Sequence, residues 1–142
     1  MVLINAASSL LFMSKRIYLD TNVIMDFLLG RDSSAFDLLN KALECKYFII
    51  ISDLVLKELK YQNLENESAN FIKLLSGVNK IKIFRVSKED KINAKLLLKQ
   101  THYADAVHKI LAKRLEVDYL VTKNIKDFVH FKDINVKKPD EL

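Results

Sequence analysis

Short apolar runs rich in β-branched and aromatic residues, separated by longer amphipathic stretches, constrain the fold of this chain more than any other feature. The runs are RIYL (16–19), YFIIIS (47–52), KIKIFRV (80–86) and DYLVT (118–122), with INV (134–136) as a weaker candidate. The stretches 33–45, 53–63, 66–76, 88–99 and 102–116 carry apolar residues at three and four spacing, which predicts helices. SKED (87–90) is a capping box that opens one of them. Strands that alternate with helices need crossover connections, so the sheet is parallel and covered on both faces. The predicted class is α/β: one domain, a parallel central sheet and flanking helices.

With 142 residues, half of them hydrophobic, the chain can bury a sizeable core. One Pro and two Gly leave no room for a linker. The only seam is at the start, where residues 1–12, MVLINAASSLLF, lack a basic leader and are too short to span a bilayer. They are expected to be a dispensable extension, and no association with a membrane is expected. Cys45 is the only cysteine, which excludes an intrachain disulfide and fits a reducing cytoplasm.

Several chemistries are excluded by what is missing. With Gly30 and Gly77 as the only glycines, neither a dinucleotide fingerprint nor a phosphate-binding Gly-rich loop can be built. No nucleophile-elbow pattern accompanies the histidines, His102, His108 and His130. Carboxylates remain. Asp20 ends the first predicted strand, where parallel sheets bind ligands, but it could equally cap a helix that begins at Thr21. Glu58 falls inside the apolar arc of its predicted helix, with Leu54 and Tyr61 beside it and Lys57 and Lys60 opposite. A carboxylate placed there needs a buried basic partner or a cation. Asp105 lies off the apolar stripe of the helix 102–116 and reads as solvent-exposed. Thr122, Asn124 and Asp127 follow the fourth predicted strand as cap, turn or site residues.

In their order along the chain, YLDTNVI, ISDLVLKEL, HYADAV and LVTKNIKDF together resemble the PIN domain, and in particular the VapC-type ribonuclease toxins. The resemblance covers residues 15–142 and leaves 1–12 outside, which gives a nuclease domain over 13–142. It implies an α/β/α fold whose carboxylates hold Mg²⁺ or Mn²⁺ and cleave single-stranded or structured RNA. Asp20, Glu58 and Asp105 match the first three acids of the family, and Asp20 and Asp105 are expected to be the direct metal ligands. The fourth acid occupies one of two positions, here Asn124 and Asp127, of which only Asp127 keeps a carboxylate. Thr21, Asn22, Ser52, Thr122 and Asn124 match supporting polar residues.

The resemblance further implies a cognate antitoxin protein alongside RNA, and surplus apolar residues on the predicted helices 33–45 and 66–76 hint at a homodimer. A phosphodiester is shielded by its own negative charge, so a divalent cation must neutralise it and acidify a water. The formal net charge of +5 suits a polyanionic substrate, with Lys109, Lys113, Arg114, Lys123 and Lys126 as candidate phosphate contacts. The competing expectation is a catalytically weak or inactive PIN module that binds RNA or a protein, because Asn124 lacks a charge. A haloacid-dehalogenase-like phosphatase would need a second aspartate where Asn22 stands, and a receiver domain would need paired acids before its phosphorylated aspartate.

Overall fold

The computed structural model describes residues 14–142, so the expected extension, 1–12, lies outside the described residues. Five strands, β1 (Lys15–Leu19), β2 (Tyr47–Ser52), β3 (Ile81–Phe84), β4 (Tyr119–Val121) and β5 (Val136–Lys137), form one sheet in the order β3-β2-β1-β4-β5. Every pairing is parallel. The helices are α1 (Thr21–Leu28), α2 (Ser33–Leu43), α3 (Asp53–Tyr61), α4 (Glu65–Gly77), α5 (Lys88–Lys95) and α6 (Tyr103–Arg114). Short 3₁₀ turns follow at Ile125–Phe128 and Pro139–Glu141. Among the described residues no helix is long and apolar enough to cross a membrane.

Side-chain alternation along the strands sorts the helices into two layers. Ile17, Leu19, Ile49 and Ile51 face one core with Val23, Leu38, Val55, Leu59 and Phe71 from α1 to α4. Tyr18, Ile50 and Leu120 face the other, with Ala94 of α5, Val107 and Leu111 of α6, and Phe128 and Phe131. The central strands are buried on both faces, which is why YFIIIS reads as a continuous apolar run. From β1 the chain builds outward through β2 and β3, then returns to the other side of β1 with β4 and β5. That reversal opens a crevice at the carboxyl ends of β1 and β4.

Boundaries differ from the sequence pattern where a side chain takes over the backbone. The strand predicted over 80–86 stops at Phe84, because the Val86 N–H donates to Asp53 Oδ1 (3.0 Å) and Ser87 caps α5. The helix predicted over 88–99 ends at Lys95, and the Leu run that follows keeps no single face: Leu97 packs inward while Leu96 and Leu98 are exposed. Few glycines are available to end helices, and left-handed backbone falls instead on Cys45, Asn63, Asn79 and Glu116, with Gly30 after α1.

α5 is fastened to α6 by one buried carboxylate. Asp90 accepts from the Ser87 N–H (2.9 Å) in the capping box, and Arg114 donates to both its oxygens at 2.9 and 3.0 Å. Burial alone would raise the Asp90 carboxyl, but the Ser87 and Arg114 donors outweigh it and hold the group below its usual range. Such a group stabilises the fold fully above the unfolded carboxyl value near about 4, and the contribution disappears as pH falls through the lower folded value. Asp90→Asn should therefore destabilise the protein by about 2 kcal/mol at neutral pH. Paired thermal melts at pH 7 and pH 3 should show the gap between wild type and variant closing in acid.

Candidate active site

The crevice at the strand reversal holds Asp20. It sits one residue past β1, with its backbone N–H donating to the Val121 carbonyl (2.9 Å) across the β1–β4 junction. It is the N-cap of α1, as one reading of the sequence proposed, yet capping uses only part of its capacity. Oδ1 accepts from the Thr21 N–H at 2.7 Å and Oδ2 from the Thr122 hydroxyl at 2.8 Å, within a residue only 5 % exposed. The cap thus leaves Oδ2 to the crevice, and the cap reading does not exclude the site reading. Thr122 in turn accepts from the Asn124 N–H (3.1 Å), which ties the turn after β4 to Asp20.

Glu58 reaches the same crevice from α3, whose first turn is fixed by Ser52 accepting from the Val55 N–H. Its Oε1 accepts from the Thr21 hydroxyl (2.9 Å) and lies 3.1 Å from His108 Nε2. The predicted apolar arc is only partly realised, because Tyr61 is 86 % exposed and the Glu58 side chain 35 % exposed. The basic partner that the sequence demanded is neither Arg nor Lys but a histidine. Burial would raise the Glu58 carboxyl, but the hydrogen bond and charge of His108, with Thr21, outweigh it and hold it below the usual range.

His108 and Tyr18 form a buried relay that the motifs do not reveal. The His108 ring is 1 % exposed, with Nε2 also 3.5 Å from Asp20 Oδ1 and Nδ1 2.7 Å from the Tyr18 hydroxyl. That hydroxyl lies 2.9 Å from Ser52 Oγ. Carboxylates only accept, so the ring carries a proton on Nε2. The single Tyr18 proton goes to Nδ1 when the ring is neutral and to Ser52 when the ring is an imidazolium. Burial pushes the phenol well above its ordinary value, so Tyr18 keeps that proton. Two spacings could have exposed the pair: His108 follows Asp105 by three residues on one helix face, and Tyr18 precedes Asp20 by two.

Asp105, in the first turn of α6, is half-buried rather than exposed, because that turn faces the strand ends instead of solvent. Among the described residues no hydrogen bond or ion pair holds it. Burial and the charges of Asp20 and Asp127 push its carboxyl up to about 6, against the opposing pull of His108 and His102. Asp127, in the 3₁₀ turn after β4, is therefore near enough to act on Asp105. Asn124 is exposed and its side chain makes no cap, and Asn22 lines a shallow cleft with Asp26, Arg31 and Lys123. Ser52 supports the cluster only through Tyr18 and the α3 cap. Asp26, absent from the sequence reading, is buried and paired with Arg31 (3.1 Å) and Lys123, which pins α1 to the turn after β4.

Among the described residues no three acidic, imidazole or thiolate groups are gathered into a ready-made cation cage. The donor set still fits a hard divalent ion. It consists of carboxylate oxygens, and Asp20 and Asp127 both disfavour the charge on Asp105 in the way a cation would relieve. Mg²⁺ keeps several waters and takes one or two protein carboxylates, so a closed cage is not required.

The PIN domain family model matches residues 16–126, and the chain belongs to that family. No curated protein matches the sequence. Solved structures with the same fold include VapBC2 from Rickettsia felis bound to a promoter DNA fragment, at 22 % identity and TM-score 0.63 over 87 % of this chain and 98 % of that one. A toxin–antitoxin complex from Klebsiella pneumoniae aligns at 21 % identity and TM-score 0.60, over 87 % and 97 % of the two chains. DNA-bound VapBC from Salmonella typhimurium aligns at 16 % and 0.64, over 88 % and 98 %.

The buried relay yields a stability ordering. Tyr18→Phe removes the one partner of His108 Nδ1 but leaves the ring its Nε2 contacts and Ser52 its bond to the Val55 N–H, at a cost of about 1 kcal/mol. His108→Ala leaves a cavity and takes the Nε2 donor from Glu58 and Asp20, while the Tyr18 hydroxyl keeps Ser52, at a cost of about 3 kcal/mol. Denaturant melts without added metal measure both, and equal losses would show that the ring carries no more than a single hydrogen bond.

Proposed function

We propose that this chain is a divalent-metal-dependent endoribonuclease acting on RNA in the cytoplasm, and the toxin of a toxin–antitoxin pair. The observation that carries the reading is the convergence of Asp20, Asp105 and Asp127 at the strand reversal, where burial and mutual repulsion hold Asp105 at about 6. An acid left unpaired among acids destabilises the metal-free protein, which is the expected signature of a site built for a cation. Support for the biological setting comes from the toxin–antitoxin complexes that share the fold. An antitoxin protein is the partner this implies, and a second copy of the chain is a further one, toward which Phe36, Leu43 and Leu74 present exposed apolar surface.

Asp20 and Asp105 are the residues proposed to hold Mg²⁺ or Mn²⁺ directly. The ion supplies positive charge against the phosphate and acidifies a water. The chain's own part is orientation. Thr122 and the Thr21 N–H fix both oxygens of Asp20, so that its carboxylate cannot rotate away. Thr21 and His108 hold Glu58 at the opposite wall, placed to accept a proton or to order water. Asp127 adds negative charge beside Asp105 and is the fourth acid of this reading, with Asn22, Ser52 and Asn124 as polar neighbours.

Asp20→Asn and Asp105→Asn should each abolish Mg²⁺-dependent cleavage of RNA while the fold persists, and Asp105→Asn should raise the melting temperature of the metal-free protein. Cleavage by either variant at the wild-type rate, in preparations freed of contaminating nuclease, would overturn the ligand assignment. A wild-type protein that binds RNA without cutting it would point to the binding module instead.

The fourth position is tested separately by titrating cleavage rate with Mg²⁺ at fixed salt. Asp127→Asn should shift the midpoint to higher metal concentration by about tenfold, the scale of a lost supporting carboxylate. Asn124→Ala should leave the midpoint near wild type. The reverse pattern assigns the position to Asn124.

A further inference from the structure

The basic residues singled out on α6 and after β4 are mostly spoken for. Lys109 and Lys113 both pair with Asp133 (3.2 and 2.7 Å), Arg114 is bound to Asp90, and Lys123 to Asp26. A different set is free. Lys57, Arg85, Lys88 and Lys91 are exposed and make no ion pair among the described residues. They come from α3, the turn after β3 and α5, and they surround one groove of about 680 Å³. The single acid in its lining, Asp53, has an oxygen engaged by the Val86 N–H.

Placement ties the groove to the acid cluster. Tyr103, partly exposed at the start of α6, lines it two residues before Asp105, and Leu54 lines it one turn before Glu58. Leu54 and Val107 give it an apolar surface between the basic walls. An apolar strip with an aromatic ring, walled by unpaired cations and built partly on α3 and α6, the helices that carry Glu58 and Asp105, matches the alternation of base and phosphate in a single strand. An acidic protein segment would satisfy the cations but leaves the ring and the neighbouring acids without a purpose.

We propose that this groove is the binding channel for single-stranded RNA on one side of the scissile position, with Lys57, Arg85, Lys88 and Lys91 on phosphates and Tyr103 stacked on a base. The assignment rests on the ribonuclease reading but is tested without catalysis. A fluorescein-labelled 12-nucleotide RNA is titrated by anisotropy with the full chain in EDTA, at several salt concentrations. The triple variant Lys57→Ala/Arg85→Ala/Lys88→Ala should bind at least tenfold more weakly. Its salt dependence should fall by about 2 in log–log slope, from about 0.7 per lost contact to a single strand. The control Lys15→Ala/Lys46→Ala/Lys73→Ala loses the same charge from exposed positions outside the groove and should change affinity less than threefold. Tyr103→Ala should weaken binding about tenfold, with Tyr103→Phe restoring it, as stacking requires.

Equal losses in the two triple variants would reduce the effect to net charge and overturn the channel. Unchanged RNA affinity in the groove variant would overturn it as well and leave the groove to a protein partner. Circular dichroism excludes misfolding, and each groove cation can be tested singly should the triple variant unfold. A wild-type protein that binds through this groove but never cleaves would refute the nuclease reading and leave the channel standing.

Discussion

A buried carboxylate at the point where the sheet reverses direction governs the rest of this molecule. Asp20 is almost fully enclosed, and an enclosed charge without donors would cost several kcal/mol. The fold meets that requirement from two directions at once: the helix that follows β1 offers the Thr21 N–H, and the neighbouring strand β4 ends in the Thr122 hydroxyl. Neither donor is local to the other in sequence. The β1–β4 register that places Val121 beside Leu19 is therefore also what holds the carboxylate still. A register slip of one residue would turn Thr122 away, so sheet pairing and site geometry are one constraint.

The crevice is asymmetric in how its acids are compensated. Asp20 and Glu58 lean on hydroxyls, an N–H and His108, while Asp105 has burial and two acidic neighbours that outweigh the pull of His108 and His102. The compensated pair is held from both sides of the crevice, and the less compensated acid, Asp105, is the one whose charged form burial and its neighbours disfavour. His108 deepens the asymmetry because one ring bridges both walls, donating toward Glu58 and Asp20 while its other nitrogen is anchored through Tyr18 to the end of β2. An imidazole in that position limits how far the two carboxylates can separate.

The α/β class, the parallel order and the approximate positions of the strands were legible because apolar periodicity reports burial directly. The cap role of Asp20 was legible as well, though cap and site appeared as rival readings when the buried geometry is compatible with both. Asp105 misled on periodicity: a helical wheel sorts residues into core and solvent and has no third category for a crevice at a strand end. Glu58 announced that it needed a partner but not which one, since His108 lies 50 residues away and meets it only through packing. The basic residues misled most. Arg114 and Lys123 look like surface charge in sequence, and only the tertiary structure shows Asp90 and Asp26 waiting for them.

Those internal pairs change what the net charge of +5 means. Three buried or half-exposed aspartates, Asp26, Asp90 and Asp133, draw in five cations from the turn after α1, α6 and the turn after β4, and in doing so fasten α1, α5 and the carboxy-terminal loop to the core. Cations used in this way are desolvated or tethered and offer little to a mobile polyanion. The field that a substrate meets is set by the cations left over, and their position relative to the acids matters more than their number. Lys57, Arg85, Lys88 and Lys91 are left over around one groove on α3, α5 and the turn after β3, so on the proposed reading a phosphate chain is attracted there rather than onto the carboxylates. On that reading an acidic crevice coexists with a polyanionic ligand, because attraction and repulsion would act on different nucleotides of the same strand.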